Sequence, residues 1–431
     1  MSQAAASRAA PLPAGADTER PRPHILAFDL IRVLIVAFVV GVHTLAIGGG
    51  KITFALGAVV TVFHTSRELF FLLTAFVLTY NYGRRRQVRW VAFWRRRYRL
   101  VLPAYAAWSL VYFVADGERL DPISSAIVAF GHDLLTADAR YQLYFLLVTM
   151  QVYLAFPLLR WLLQKTARHH LALFLAACAY ELAVTFAIQH HLVTTGLIGA
   201  WLRNPDPLLP SYLLYVIAGA IGAWHFDSFV AFTRRHAAAA GVALLAGVGV
   251  GVGSYLAEIA IGGQDPAAAS AVFQPAIVVE SLAFGWALFA AGLRWVGAGA
   301  RHRRLISIGA DSSFGIFLAH PLVLQGAVAL AGATGVLAAV RSAPGALELA
   351  ALLGVGLPLI YGVSGLLVFL ARRTPLSLVL TGRQREGSAA QPASKAAAGT
   401  SCLPRPATSR PATPRPATRS PQPTLMRSND A

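Results

Sequence analysis

Residues 28–44 read FDLIRVLIVAFVVGVHT, and this stretch decides the class of fold. It begins with an acid and a base three residues apart, Asp29 and Arg32, and then runs through ten uncharged residues to His43. Such a run is typical of a helix buried in lipid, where each charged or titratable side chain is costly and marks a functional hypothesis. The stretch therefore predicts a membrane helix whose polar residues need an explanation.

The composition of the whole chain is that of a polytopic membrane protein. Of 431 residues, 56% are hydrophobic and 13% are charged, and the mean hydropathy is +0.58, so apolar runs of about 20 residues recur. The net charge of +18 raises the question of nucleic acid, but the Arg residues lie in short clusters between apolar runs and in a tail. That placement favours topology signals and anionic lipid over nucleic-acid binding. The two cysteines, Cys178 and Cys402, indicate no disulfide framework, and we expect no metal site.

The hydropathy pattern predicts ten membrane spans, at residues 25–47, 54–80, 100–115, 141–163, 171–189, 209–224, 237–261, 272–293, 305–330 and 347–371. With a cytoplasmic N-terminus, the inner loops carry eight, two, two and four Lys or Arg residues; these loops are 84–99, 164–170, 225–236 and 294–304. The outer loops carry fewer Lys and Arg residues. The positive-inside rule therefore predicts that both termini are cytoplasmic, and we expect a multi-pass protein of the plasma membrane.

Three regions follow from this pattern. Residues 1–23 are rich in Ala, Pro and Arg and lack the apolar core of a signal peptide, which predicts a disordered N-terminal segment. Residues 24–373 form the membrane domain. Residues 374–431 are rich in Pro, Ala, Arg and Thr, with RPAT repeated three times, and this composition predicts a disordered tail.

Arg32 and His43 are eleven positions apart, which is close to three helical turns, so their side chains project from nearly the same face. About 16 Å of helix separates them, with Arg32 toward the predicted cytoplasmic side and His43 toward the outer side. Asp29 is one turn from Arg32 and is expected to pair with it, which lowers the cost of both charges. On these residues alone, a structural role fits as well as a chemical one.

The second span reads HTSRELFFLLTAFVLTY from His64 and places Arg67 and Glu68 in apolar surroundings. Neighbouring positions on a helix point about 100° apart, so we expect these two charges to find partners on other helices rather than each other. The pattern predicts a buried polar network that lines a cavity, with His43 as a further member. A purely structural network between helices is the alternative.

Two later stretches also carry polar residues of interest. RRRYRLVLP, from Arg95, places Arg96 and Arg99 one turn apart at a helix entrance, and the guanidinium fork suits phosphate oxygens. Most such clusters beside membrane helices only set topology. SIGADSSFGIFLAHPLVL, from Ser307, places Ser313 and His320 in a membrane segment, with Pro321 expected to kink the helix.

Together these stretches resemble the integral-membrane acyltransferase-3 family over residues 25–373. The likeness is carried by an ordered set of motifs: Arg32, ten residues and His43; FFLLTAF at 70–76, preceded by Glu68; RRYRLVLP, with Arg96 and Arg99; and IGADSSFGIFLAHPLV, with His320 and Pro321. One departure is that the family's second-helix signature usually reads Ser-Gly-Phe, whereas this chain has Thr74-Ala75-Phe76. We expect Ala75 to be tolerated in close packing if its φ is negative.

The resemblance implies a ten-helix protein that moves an acyl group, usually acetyl, from a coenzyme A thioester to a hydroxyl. The acceptor would be a glycan, a cell-envelope component or a secondary metabolite. His43 would be the general base that deprotonates this hydroxyl, with Arg32 and Glu68 as further catalytic residues. Arg96 and Arg99 would bind the phosphates of the donor, which is a substrate and not a resident cofactor.

Two functions of other classes fit the same residues. A transporter or exporter would use the intramembrane charges as a proton or substrate pathway, although the chain lacks the paired broken segments typical of transporter repeats. A noncatalytic scaffold would present the basic tail. The identity of the acceptor and the oligomeric state stay open at this stage.

Overall fold

The computed structural model describes residues 22–117 and 122–385. Almost all of the predicted N-terminal segment and the tail from residue 386 onward lie outside these ranges. Every regular element within them is a helix, and the chain is an all-α polytopic membrane protein, as predicted.

The described ranges hold seventeen α-helices. In chain order they are α1 (Ala27–His43), α2 (Phe54–Tyr82), α3 (Trp90–Ala115), α4 (Ile123–Thr136), α5 (Tyr144–Lys165), α6 (His170–Gln189), α7 (Gly196–Arg203), α8 (Leu213–Trp224), α9 (Phe226–Arg235), α10 (Ala237–Ala260), α11 (Pro266–Ala269), α12 (Pro275–Gly297), α13 (Arg303–Ala333), α14 (Val336–Ser342), α15 (Gly345–Ala351), α16 (Leu357–Ala371) and α17 (Ser377–Thr381). A π-helical turn (Thr44–Gly48) continues α1, another (Leu352–Gly356) joins α15 to α16, and a 3₁₀ turn (Leu209–Tyr212) precedes α8.

Nine helices of the described part are long and apolar enough to cross a membrane, and each coincides with a predicted span. The remaining predicted span, 209–224, is the first arm of a pair bent by 93°, whose second arm is α9. The prediction of a loop at 225–236 was therefore wrong. α9 has ten residues and carries Arg234 and Arg235 in its last turn, so it is too short to cross a membrane by itself, although Val230 and Thr233 are buried.

The third span also begins earlier than predicted, because α3 starts at Trp90 and makes most of the expected 84–99 loop helical. Arg is a good helix former, so a charged segment that fails a test of hydropathy still continues the helix. One face of α3 is buried along its length, at Phe93, Val101, Ala104, Tyr105, Trp108 and Tyr112.

The boundary predicted for the disordered tail at residue 374 was too early. Helix α17 (Ser377–Thr381) follows that boundary and packs against α3, α13 and α16. Its Ser377 and Thr381 side chains are buried, so the folded part continues past the last span.

Helix α2 lies at the centre of the packing and contacts α1, α5, α8, α10 and α12. Its closest approach is to α8, where a Cβ on Gly219 would overlap the Leu72 carbonyl, so only glycine allows the two backbones to come this near. Ala75 is fully buried within α2, and its φ is not positive, as the expectation for this substitution required.

The proline inside α5 frees a carbonyl that a side chain of α3 then satisfies. Pro157 in α5 has no N–H for the carbonyl of Tyr153, and this carbonyl accepts a hydrogen bond from Trp94 Nε1 on α3 at 2.9 Å. Tyr98 Oη donates to the Met150 carbonyl one turn away, at 2.7 Å. These two bonds fix α3 against α5 and so set the direction of the residues between Trp94 and Tyr98.

Candidate active site

A cavity of about 250 Å³ lies at the end of the helices that is predicted to be cytoplasmic. Helices α1, α2, α3, α5 and α13 and the residues after α17 form its wall. Most of the lining is apolar, but Arg32, Arg97 and Arg383 contribute guanidinium groups and Asp311 contributes one carboxylate. This inner cavity suits a ligand that combines an apolar arm with anionic groups.

The expected ion pair between Asp29 and Arg32 is absent from the structure. Asp29 is buried, with His24 Nε2 at 2.8 Å from Oδ1, and its Oδ2 accepts a hydrogen bond from Ser307 Oγ at 3.0 Å. The two side chains turn to different partners: Asp29 contacts His24 and Ser307, whereas Arg32 lines the cavity. Arg32 has no hydrogen bond or ion pair to any other residue in the described part of the chain, so its donors are available to a ligand.

The arginines of α3 divide between the cavity and the surface. Arg97 lines the inner cavity, and its guanidinium carbon lies 5.7 Å from the centroid of the Tyr153 ring. Arg96 and Arg99, which the sequence singles out, are exposed and do not line it. The reason is the helical period: Arg97 continues the buried face between Phe93 and Val101, and its two neighbours point away from it.

A second cavity, of about 150 Å³, lies toward the opposite ends of the same helices, which are predicted to be the outer ends; it is called the outer cavity. Its polar lining comes from α1, α2, the start of α5 and the loops around them: His43, His64, Ser66, Arg67, Tyr141, Gln142, Tyr144 and Asp206. Several of these groups have unused hydrogen-bonding capacity. His64 Nδ1 and both polar atoms of the Gln142 amide are buried without a partner in the described structure, which favours a polar ligand here.

His43 is the last residue of α1, directly before the π-helical turn Thr44–Gly48. Its ring centroid lies 4.3 Å from that of Tyr141 and 5.3 Å from that of His320. Ring contacts hold the imidazole, and neither of its nitrogens is hydrogen-bonded to a residue that the structure describes. A ring nitrogen of His43 is therefore free for a ligand in the outer cavity.

The ring of His320 stacks against the ring of His43, and His320 lines neither cavity. Pro321 has no N–H to donate to the Phe317 carbonyl, and His320 Nδ1 lies 2.7 Å from that oxygen, while α13 continues through the proline. A carbonyl only accepts, so Nδ1 carries the proton of this bond, and Nε2 is a buried lone pair without a partner in the described residues. The His-Pro pair thus sets the tautomer of His320.

Arg67 and Glu68 pair with each other, contrary to the prediction that each finds partners only on other helices. Arg67 Nε and Nη2 donate to Glu68 Oε1 at 3.0 and 2.8 Å, and Nη1 donates to Asp206 at 2.6 Å. The long Arg side chain bends back along α2, so the 100° offset between the two positions does not keep the groups apart. Arg67 also lies over the Phe273 ring, at 4.1 Å from the centroid.

This arrangement separates Glu68 from His43. Glu68 is 2% exposed and does not line the outer cavity, and no hydrogen bond joins it to His43 in the described structure. Its carboxylate holds the Arg67 guanidinium, which does line the cavity. Ser313 lies apart from this cluster, in the wall of the inner cavity, and its Oγ donates to the Ala310 carbonyl at 2.8 Å.

The inner and outer cavities meet at three phenylalanine rings, Phe70, Phe145 and Phe317, which line both. The centroid of the Phe145 ring lies 5.0 Å from each of the other two, and those two lie 6.0 Å apart. Arg32 and His43 therefore lie on opposite sides of one ring cluster, in cavities that share α1, α2, α5 and α13 as walls.

The sequence of the chain matches a family model described as an acyltransferase domain over residues 25–370. The chain belongs to the acyltransferase-3 family. Comparisons of this chain with curated proteins and with solved structures found no match. The resemblance carried by the four motifs is thus confirmed, and the protein is a membrane acyltransferase.

Several residues that line the two cavities of this acyltransferase were not predicted from the sequence. The period of buried residues on α3 is a signal that points to Arg97. No comparable signal marks Tyr141, Gln142 or Asp206, because each lies in a connection between helices and reaches the outer cavity only through the fold. Arg383 was assigned to the predicted disordered tail, because the composition of residues 374–431 does not indicate the short helix α17.

Proposed function

We propose that this acyltransferase moves a short acyl group, acetyl above all, from a coenzyme A thioester to a hydroxyl of a glycan, cell-envelope component or secondary metabolite in the plasma membrane. The observation that carries the proposal is the pair of cavities that meet at the phenylalanine rings, one lined by guanidinium groups and the other by imidazoles. Phosphates and a thioester arm suit the first cavity, and a hydroxyl acceptor suits the second.

The donor would enter from the cytoplasmic side, with its phosphates near Arg97 and Arg32 and its arm along the apolar wall. Arg32 makes no hydrogen bond or ion pair with a residue that the structure describes, so an anionic ligand group could accept hydrogen bonds from its guanidinium. The roughly 16 Å of helix between Arg32 and His43 suits a donor with an extended arm whose acyl end reaches the three rings.

His43 would take the proton from the acceptor hydroxyl as the hydroxyl oxygen attacks the carbonyl carbon of the thioester. A carbon–oxygen bond forms, and a tetrahedral oxyanion results. When this intermediate collapses, the carbon–sulfur bond breaks, the ester is released, and the leaving thiolate takes the proton from the imidazolium. Free nitrogens on His43 are what this role requires.

Arg67 would stabilise the oxyanion, and Glu68 would act by positioning Arg67. The guanidinium donates two hydrogen bonds to Glu68 and one to Asp206, and these hold it beside the outer cavity before any substrate binds. A charge that is already oriented needs no reorganisation as the oxyanion forms. Glu68 would then be a positioning residue, whereas the sequence predicted a catalytic one.

Transfer of label tests the function directly. Acetyl coenzyme A labelled in its acetyl group is added to membranes that contain the protein. The lipid, glycan and soluble fractions are then separated, and each is assayed for label that alkali releases, as it does from an ester. We expect an ester that depends on the protein. Movement of an unlabelled acceptor across the membrane without any esterified label would instead identify a transporter and contradict the proposal.

The α3 arginines give a prediction on donor binding. Arg97→Gln is expected to weaken the affinity for acetyl coenzyme A about tenfold or more, because it removes charged hydrogen bonds inside the cavity. Arg96→Gln and Arg99→Gln serve as matched changes on the same turn of helix. Their exposed side chains are expected to contribute only screened attraction, so each should alter affinity less than about threefold. Equal losses in all three variants would show that the phosphates bind outside the cavity.

A further inference from the structure

The chain after α16 returns to the inner cavity and forms part of its wall. Helix α17 (Ser377–Thr381) packs against α3 and α13, and Thr381, Gly382 and Arg383 line the cavity. The family match ends at residue 370, so this strap, residues 377–383, lies outside the region that family membership accounts for.

Specific contacts fix the strap in place. Trp108 Nε1 on α3 donates to the Leu380 carbonyl at 3.0 Å, and Ser377 Oγ donates to the Arg383 carbonyl at 2.8 Å. Gly382 has a φ of +64° and packs on the ring of Phe314, where an added Cβ would lie 2.7 Å from ring carbons. Only glycine satisfies both conditions, so the turn that presents Arg383 is built into the fold.

Arg383, at the end of the strap, pairs with Asp311 on α13. Its Nη2 is 2.9 Å from Asp311 Oδ1, and its side chain is 42% exposed, as expected for a group at a rim. A guanidinium has five N–H donors, so this ion pair orients the group and leaves donors for a second anion. With Arg32 and Arg97, the cavity has three guanidinium groups and one carboxylate among its described lining residues.

We propose that Arg383 is a donor-binding residue, which contacts a phosphate of the coenzyme A thioester at the cavity opening, and that the strap supplies this part of the site. The inference rests on the proposed function, since it takes the donor to be a phosphate-bearing thioester. Phosphate oxygens match the fork of a guanidinium that a neighbouring carboxylate already orients.

The test uses the full-length protein in nanodiscs of phosphatidylcholine, a lipid without net charge, with acetyl coenzyme A as the probe. Arg383→Gln is expected to weaken binding and raise the KM for the donor about tenfold, with kcat changed far less. Arg385→Gln is the matched control, because Arg385 is exposed two residues later and lines no described cavity. Arg383→Lys keeps the charge and is expected to recover part of the affinity.

Wild-type affinity in Arg383→Gln would overturn the inference. So would a loss that appears only in nanodiscs of anionic lipid, because that result would make Arg383 a headgroup contact. If the wild-type protein itself neither binds acetyl coenzyme A nor transfers its acyl group, the proposed function fails first. Thermal unfolding in the same nanodiscs checks that each variant is folded.

Discussion

Replacing His43 with alanine is expected to lower the rate of acyl transfer about 10²- to 10⁴-fold while the affinity for the donor stays near that of the wild type. His43 lines the outer cavity with no hydrogen-bonded partner in the described structure, and it lies beyond the phenylalanine rings from Arg32. The lost function is therefore proton transfer at the acceptor, and donor binding is a separate event. Single-turnover transfer of labelled acetyl, with donor binding measured in parallel, separates the two.

His190→Ala is the matched control, since His190 is exposed and lines no described cavity. Added imidazole is expected to restore part of the rate in His43→Ala but to leave the control unchanged, because only the first variant has lost a base. A His43→Ala protein that transfers acetyl at the wild-type rate would remove His43 from the mechanism. A loss of donor affinity equal to the loss of rate would instead assign it to binding.

Replacing Arg32 with glutamine is expected to weaken the affinity for acetyl coenzyme A about 10- to 100-fold, which corresponds to about 1.5–3 kcal/mol for hydrogen bonds to a charged group. The fold should tolerate the change. Asp29 is held by His24 and Ser307, so the loss of Arg32 leaves no buried carboxylate without a partner. Equilibrium binding of the labelled donor and thermal unfolding measure the two quantities.

Two arginines serve as comparisons for this variant. Arg86→Gln, at an exposed position between α2 and α3, should leave both affinity and stability unchanged. Arg67→Gln should destabilise the protein by about 3–5 kcal/mol, because it leaves the buried carboxylate of Glu68 without its partner. If Arg32→Gln lowers stability as Arg67→Gln does, then Arg32 is a structural residue.

Local properties of the chain were predictable from sequence because they depend on a residue and its near neighbours. The lengths of the apolar runs predicted the membrane spans. The spacing of eleven residues on one helix predicted that Arg32 and His43 lie at different depths on nearly the same face. The same reasoning failed at 84–99 and 225–236, where charged helices α3 and α9 extend beyond the apolar runs. Hydropathy measures transfer into lipid, and it does not measure helix formation.

A helical membrane acyltransferase with a charged first helix could be predicted from sequence, because apolar length, helical period and the motifs can all be read along the chain. The partners of the charged residues depend on the packing of the helices: Asp29 with Ser307, Arg67 with Glu68 and Asp206, and Arg383 with Asp311. A buried charge takes whichever partner the neighbouring helices bring within reach. That choice depends on the packing of segments far apart in the chain, and for the same reason the two cavities and the rings between them are properties of the fold alone.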